Sequence, residues 1–206
     1  GAVNMTVKWD GAPAIICGIN PENNKFFIGT KSVFNATPKI NYTVADIKRN
    51  HGSGGAAKKL EYSLRYLKSL PIKGILQGDL LFTDDKETKN IDGESMITFT
   101  PNTITYAVPQ DSDIGRKIAR AKMGIVFHTS YSGKKMKDLR AGFGTVSGKS
   151  GISSVFLADA AYRDVSGSAK LTKSELSSFN AKLRMAEGSL SKAGPMLDTM
   201  AKTDPL

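Results

Sequence analysis

The apolar positions in the first two thirds of the chain come in short runs separated by turn-forming residues, a pattern typical of antiparallel strands. Runs at residues 14–19 and 26–28 flank the turn-forming residues 20–24, and this arrangement predicts a β-hairpin. Other apolar or β-branched runs are bounded by glycine, proline or charged residues. They predict three further strands, at residues 74–82, 103–108 and 124–129.

Two stretches show helical spacing instead. Leu60, Leu64 and Leu67 recur on one face, with basic residues between them, and predict an amphipathic helix. Near the end of the chain, Thr172 and Glu175 form a capping-box pattern that is followed by apolar residues at helical spacing. This second pattern predicts a C-terminal helix.

The absence of alternating strands and long helices favours an α+β antiparallel architecture over a parallel doubly wound sheet. We expect residues 1–163 to form the strand-rich domain and residues 164–206 to form a C-terminal helical appendage. Residues 130–154 are rich in glycine, serine and lysine, which predicts a mobile surface segment that could close over a ligand.

Length and composition narrow the class of protein. The 206 residues and 40% hydrophobic content suit a globular domain with an appendage. No apolar run approaches the roughly 20 residues needed to span a bilayer, and the start does not resemble a secretory signal, so we expect an intracellular protein without a membrane partner. The single cysteine, Cys17, is flanked by small and apolar residues, which predicts a buried apolar role.

The charge balance favours polyanionic partners. The chain carries 29 basic and 19 acidic residues, a net charge of +10. Such an excess binds phosphates and releases counterions, which makes nucleic acid the leading class of partner. The alternative, that much of this lysine only solvates the surface, stays open on charge alone.

The residues with the clearest chemical pattern are Lys8-Trp9-Asp10-Gly11. On a strand, Lys8 and Asp10 would share one face, and Gly11 would let the backbone approach a nucleotide closely. A lysine attacks an electrophile only when it is neutral, so a nucleophilic lysine belongs in a sheltered pocket near bound cations. A solvent-facing pair of charges on an exposed strand is the alternative.

This segment resembles motif I of the covalent nucleotidyltransferases, the superfamily of ATP-dependent DNA ligases, RNA ligases and capping enzymes. Gly29-Thr30-Lys31-Ser32 lies where the family has a second polar and basic segment, which makes Lys31 a candidate nucleotide- or phosphate-binding residue. Gln77-Gly78-Asp79 and the apolar residues after it resemble motif III, with Asp79 where the family usually has glutamate. We place Gln77 and Asp79 on one face of this strand, with Leu76, Leu80 and Phe82 on the core side.

The later motifs match less closely. Met123-Gly124 and the strand after it resemble motif IV, but methionine stands where the family has glutamate, and methionine is a poor ligand for a hard cation. On this strand His128 is a candidate phosphate contact, with a structural role as the alternative. Lys135 and Lys137 match the two lysines of motif V in residue type and spacing, although their setting is glycine-rich and loop-like.

The motifs occur in family order over residues 7–137, about two thirds of the chain. Pro13 occupies a place where DNA ligases usually have arginine, so the resemblance leans towards RNA ligases. Several stretches, including residues 99–103, are also similar to uncharacterised proteins of T4-like marine bacteriophages, which implies the cytoplasm of an infected bacterium. Because only seven residues precede Lys8, the core is either minimal or a fragment.

The resemblance implies an adenylation reaction that uses ATP and Mg²⁺. Lys8 would form a lysyl-AMP intermediate, and AMP would then pass to the 5′-phosphate end of a nucleic acid. A 3′-hydroxyl would displace the AMP to seal the strand. Asp10 and Gly11 would contact the nucleotide, and Asp79 would contact ribose or metal. Two alternatives remain: a catalytically divergent protein that uses the same fold to bind nucleic acid or protein, and a transferase with a protein or small-molecule acceptor.

Overall fold

The computed structural model describes residues 12–101, 103, 105–142 and 152–158. These residues form nine strands, three α-helices and two 3₁₀ helices. In chain order the elements are β1 (Ala14–Ile19), β2 (Phe26–Gly29), η1 (Lys31–Phe34), α1 (Val44–His51), α2 (Gly55–Leu67), β3 (Ile75–Phe82), β4 (Glu87–Ile91), β5 (Glu94–Phe99), β6 (Tyr106–Pro109), α3 (Asp113–Arg120), β7 (Met123–Ser132), η2 (Met136–Asp138), β8 (Arg140–Gly142) and β9 (Val155–Leu157).

Two sheets organise these strands, and antiparallel pairing dominates both. The larger sheet has the order β2-β1-β3-β7-β8, with β9 added parallel to β7. The smaller sheet has the order β4-β5-β6. The mixed α+β, mainly antiparallel architecture expected from the sequence is therefore confirmed at this level.

The predicted hairpin is confirmed as β1 and β2. Asn24 adopts a left-handed conformation, with φ of 58°, in the turn that joins the two strands. On the other side of β1, Gly18 comes so close to β3 that an added Cβ would lie 2.0 Å from the carbonyl oxygen of Gly74. A side chain at this position would push the two central strands apart.

The two faces of the larger sheet are covered differently. On the first face, which we call the helix face, α1 and α2 pack against one continuous apolar cluster that includes Leu76, Leu80, Ile125 and Phe127. The second face carries two separate apolar clusters. One surrounds Phe27 and Val33 near β2 and η1, and the other joins the end of β3 to the smaller sheet and α3.

Several expectations need correction. Residues 130–154 were expected to be a mobile surface segment, and residues 143–151 of it lie outside the described residues. In the described part, β7 continues to Ser132 and Met136 of η2 is buried. The backbone N–H of Met136 donates to Glu22, and its side chain joins the cluster around Val33. Phe82 was expected on the same face as Leu76 and Leu80. A register shift between Leu80 and Phe82 instead turns Phe82 towards Phe99, 5.3 Å away between ring centroids.

The leucine-rich helix is confirmed as α2, which buries Leu60, Leu64 and Leu67. The strand expected at residues 103–108 begins only at Tyr106. The predicted C-terminal helix and the boundary between residues 163 and 164 lie outside the described residues. None of the helices that the structure describes is long and apolar enough to cross a bilayer.

Candidate functional site

A row of polar side chains runs across the second face of the larger sheet, between its two apolar clusters. We call this row the polar strip, and its face the strip face. It consists of Gln77, Asp79, His128, Thr129 and Tyr131, all from the central strands β3 and β7. Gln77 is the one residue of β3 that is not fully buried, so the strip is partly exposed at this position.

Asp79 and His128 form the centre of the strip. His128 Nε2 lies 3.3 Å from Asp79 Oδ1, and His128 Nδ1 lies 2.7 Å from the hydroxyl oxygen of Thr129. Asp79 is only 8% exposed, so its carboxylate sits in a sheltered place where charge interactions are stronger than in water. The imidazole thus has a partner at each nitrogen, and its side chain is 22% exposed.

A β-bulge brings these two residues together. Gln77 pairs with Thr129 and Gly78 pairs with Phe127, so His128 is the extra residue on β7. Gly78 permits the close approach, because a Cβ at this position would lie 2.4 Å from the carbonyl oxygen of Val126. The bulge therefore turns His128 towards Asp79 on the strip face.

Tyr131 closes the strip at the β2 end. Its hydroxyl donates a 2.5 Å hydrogen bond to Gln77 Oε1, and burial raises the pKa of this phenol above its ordinary value. The ring of Phe34 from η1 lies 5.1 Å from the Tyr131 ring, centroid to centroid. The strip thus leads from a carboxylate to an aromatic pair.

The segment that carries the candidate nucleophile joins the sheet beside Asp79. Ala14 pairs with Asp79 across β1 and β3, and the carbonyl oxygen of Pro13 accepts a 2.9 Å hydrogen bond from the Leu80 backbone N–H. Ala12 packs against the apolar cluster that contains Leu81 and Phe82. The candidate residues Lys8, Asp10 and Gly11 themselves lie outside the described residues.

The other candidate lysines lie on the two 3₁₀ helices. Lys31 is exposed at the start of η1, and Lys135 and Lys137 are exposed on either side of the buried Met136. None of the three lies on a strand, so the lysines matched to motif V have the loop-like setting that the sequence indicates. Their neighbours Val33 and Met136 share one apolar cluster, which brings η1 and η2 to the same end of the strip face.

Met123, which stands at the position of the motif IV glutamate, does not face the strip. Its side chain is fully buried on the helix face, in the cluster that contains Leu60 and Ile125. Alternation along β7 places Val126 and His128 on the strip face instead. Gly124 of the same motif packs under Phe82, where a Cβ would lie 2.4 Å from the ring.

The residues of the strip offer one carboxylate to a metal ion. Within residues 12–101, 103, 105–142 and 152–158, no group of three or more His, Cys, Asp or Glu side chains could hold one. Magnesium in nucleotide enzymes is usually bound by one or two carboxylates together with substrate phosphates. With Asp79 as the one carboxylate of the strip, a magnesium ion there would depend on phosphates for its other ligands.

Cys17 takes no part in the strip. It is completely buried on the helix face, and burial strongly raises the pKa of its thiol, which keeps it protonated. The expectation of a buried apolar role is confirmed. Thr129 and Tyr131 of the strip and Phe34 beside it are residues that the sequence reasoning missed. Residues 128–132 are all polar, so alternation does not distinguish Thr129 and Tyr131 from their neighbours.

Comparison with known proteins gives one match. No curated protein and no solved structure matches the chain. A model described as "Family of unknown function (DUF6267)" matches residues 1–206, over the full length of the sequence. The chain therefore belongs to the DUF6267 family.

Proposed function

We propose that this protein is an ATP-dependent nucleotidyltransferase that forms a lysyl-AMP intermediate on Lys8 and passes AMP to the 5′-phosphate of a polynucleotide, RNA in the first instance, in an infected bacterial cell. The observation that carries the proposal is the polar strip, a sheltered carboxylate and imidazole in an otherwise apolar sheet, beside the point where the Lys8 segment joins β1. Ala12 is the fourth residue after Lys8, so the chain spans at most about 14 Å between them. The proposal requires Lys8 to reach the polar strip within that length of chain.

The proposed reaction begins with neutral Lys8. Its Nζ attacks the α-phosphorus of ATP, a P–N bond forms, the P–O bond to pyrophosphate breaks, and the lysine proton passes to solvent. Magnesium bound to the phosphates would supply charge neutralisation when present. The 5′-phosphate of the acceptor then displaces the lysine from AMP, and a 3′-hydroxyl displaces AMP to seal the strand.

The proposed binding role of each residue follows from its position in the chain and on the strip face. Asp10 and Gly11 would contact the nucleotide next to Lys8. Asp79 would accept hydrogen bonds from ribose hydroxyls or bind magnesium, and His128, held by Asp79, would contact a phosphate. Lys31, Lys135 and Lys137, exposed on η1 and η2, would hold phosphates at the other end of the strip face.

The test is incubation of the protein with α-labelled ATP, and in parallel with labelled GTP and NAD, in the presence of Mg²⁺. We expect ATP to label the protein through an acid-labile bond and Lys8→Ala to remove the label. Lys48→Ala, which changes an exposed lysine on α1, is the matched control and should label normally. An unlabelled protein, or equal labelling of the Lys8→Ala variant, would sink the proposal. Labelling without joining of nicked strands would point to a protein or small-molecule acceptor.

A second candidate is a protein of the same fold that binds nucleic acid or another protein without catalysis. It is supported by the contact between Asp79 and His128, because a carboxylate that already has an imidazole partner needs no ligand to satisfy it. This candidate predicts salt-sensitive nucleic-acid binding that survives Lys8→Ala and does not depend on ATP.

A further inference from the structure

An exposed aromatic side chain stands at the β2 end of the polar strip. Phe34 is 42% exposed, and among the described residues only one other large apolar side chain, Val44, is equally open to solvent. The Phe34 ring rests on Tyr131, whose hydroxyl is fixed by Gln77. A ring supported in this way loses little freedom when another flat group stacks on it.

The support beneath Phe34 is well packed. Val33, next to it in η1, is 1% exposed, and Met136 of η2 is 5% exposed in the same cluster. The backbone N–H of Met136 also donates to Glu22, which ties η2 to the turn between β1 and β2. The two 3₁₀ helices therefore present their outward side chains from fixed positions.

The charged side chains in and around the two 3₁₀ helices are mostly cationic. Residues 30–42 and 129–142 together contain six basic residues and one acidic residue, Asp138. The contrast with the turn and hairpin at residues 83–95 is clear, since that stretch contains five acidic and two basic residues. Residues 44–73 carry a similar excess, with seven basic and two acidic residues, so the exposed ring of Phe34 beside the cations is what distinguishes this region. We call this region the basic aromatic surface; it comprises Lys31, Phe34, Tyr131, Lys135, Lys137 and Arg140.

We propose that the basic aromatic surface binds single-stranded nucleic acid, with an unpaired base stacked on Phe34 and the neighbouring phosphates held by the lysines and Arg140. Stacking on an exposed ring requires a base whose face is free, and bases inside a duplex have both faces covered. If this strand is the one that accepts AMP, the inference rests on the proposed function, and it specifies a single-stranded 5′-phosphate end as the acceptor.

The position of the surface suits an acceptor that continues from the reacting end. Tyr131 pairs with Ile75, four residues along β3 from Asp79. At the rise of a β-strand this separation is about 13 Å. A phosphate near Asp79 and a base on Phe34 can therefore belong to different nucleotides of one strand.

The experiment measures binding by fluorescence anisotropy, using a labelled, 5′-phosphorylated single-stranded RNA of about 12 nucleotides and the same sequence as a blunt duplex. We expect Phe34→Ala to weaken binding of the single strand by about 5- to 100-fold, as loss of one stacked base does, and to change duplex binding by less than about twofold. Phe34→Tyr should restore binding. Lys31→Gln and Lys135→Gln should each make the salt dependence of single-strand binding shallower.

Matched controls lie on the helix that covers the opposite face. Val44→Ala removes an equally exposed apolar side chain, and Lys48→Gln removes an exposed cation, both from α1. Both should bind the single strand like the unaltered protein. Phe34→Ala should still unfold in one cooperative thermal transition, with a modestly lower Tm, because it loses the packing on Tyr131 and leaves the cluster around Val33 intact.

The outcomes separate this inference from the proposed function. Normal labelling of Lys8 by ATP together with unchanged RNA binding by Phe34→Ala would overturn the inference alone. Loss of RNA binding in Phe34→Ala, with no ATP labelling in any variant, would support the surface and overturn the enzymatic proposal. Loss of ATP labelling in Phe34→Ala would assign the ring to the adenine of ATP and overturn the inference, as would equal weakening of duplex binding or self-association through Phe34.

Discussion

The two faces of the larger sheet are built from alternate residues of the same strands, yet they have opposite character. On the helix face, Leu76 and Leu80 of β3 and Met123, Ile125 and Phe127 of β7 pack into one apolar cluster beneath α1 and α2. On the strip face, the apolar packing is divided into two clusters by a row of polar groups. Asp79, a carboxylate that is 8% exposed, is the feature of this face that an apolar core would not need, and the proposed site is placed on the strip face for that reason.

The comparison also changes how Met123 is interpreted. From the sequence, this methionine looks like a lost catalytic acid. In the structure its side chain is fully buried on the helix face, where no ligand of the strip could reach it. The carboxylate and imidazole of the strip come from Asp79 and His128, and the proposed chemistry depends on these two residues.

The largest effect should come from reversing the character of the helix face. Met123→Glu would bury an unpaired carboxylate among apolar side chains and should lower the free energy of unfolding by about 3–5 kcal/mol. It should not increase ATP labelling, although it restores the glutamate that motif IV has at this position. Met123→Leu, which conserves volume, is the control and should cost less than about 1.5 kcal/mol. Chemical denaturation measures both variants; a stable Met123→Glu variant with increased labelling would place residue 123 at the site after all.

The next largest effect concerns the β-bulge at His128, which turns that side chain towards the strip face. Gly78→Ala would drive a Cβ to within 2.4 Å of the Val126 carbonyl oxygen and should cost about 3 kcal/mol of unfolding free energy. Gly55→Ala is the matched control, because a Cβ there meets nothing within 4 Å at the start of α2. It should be neutral or stabilising by about 0.5 kcal/mol. Equal stability of the two variants in denaturant titrations would contradict the close approach of β3 and β7.

The features that could be predicted from the sequence are the ones with local causes. The hairpin of β1 and β2 follows from two apolar runs around a turn, and α2 follows from its leucines. By contrast, α1 was missed because it buries only Ile47, and β4 because four of its five residues are exposed. Helix α3 was also missed, although Ser112 caps its first turn.

In the candidate site, too, the features with local causes could be predicted from the sequence, and the nonlocal contacts could not. Alternation along β3 correctly places Gln77 and Asp79 on one face, apart from Leu76 and Leu80. The contact between Asp79 and His128 joins residues 49 positions apart and depends on a bulge, and no local pattern encodes either. The nonlocal pairing of strands therefore decides which of the candidate residues meet.

A smaller effect on stability, with a clear effect on function, should follow from Asp79→Asn. The amide keeps the shape of the side chain, so the free energy of unfolding should change by about 1 kcal/mol or less. Labelling by ATP should fall by about ten- to hundredfold, because hydrogen bonds to a charged group contribute about 1.5–3 kcal/mol. Thr98→Val, a buried polar change in the smaller sheet, is the control and should label normally. Unchanged labelling of Asp79→Asn would show that Asp79 takes no part in the reaction with ATP and that its place on the strip face is structural.

The smallest effect tests the edge of the helix face, where α1 meets β2. The side-chain nitrogen of Asn41 donates to the Ile28 carbonyl oxygen at 2.9 Å and lies 3.1 Å from His51 Nε2, which must accept and therefore carry no proton. Burial, and then the charge of Lys39, lowers the pKa of His51 below its ordinary value of 6.5. Because the folded pKa is the lower one, this stabilisation is complete above pH 6.5 and is lost as pH falls through the folded pKa.

Denaturant titrations between pH 8 and pH 5 should therefore show a loss of stability in the unaltered protein that is smaller in His51→Gln. The difference should not exceed about 1 kcal/mol, the contribution of one neutral hydrogen bond. His128→Gln is the control, since it removes the other of the two histidines and leaves the Asn41 contact intact. If His51→Gln and the unaltered protein lose stability in parallel, the contact at this edge does not depend on the protonation of His51, and the helix face is held by its apolar cluster alone.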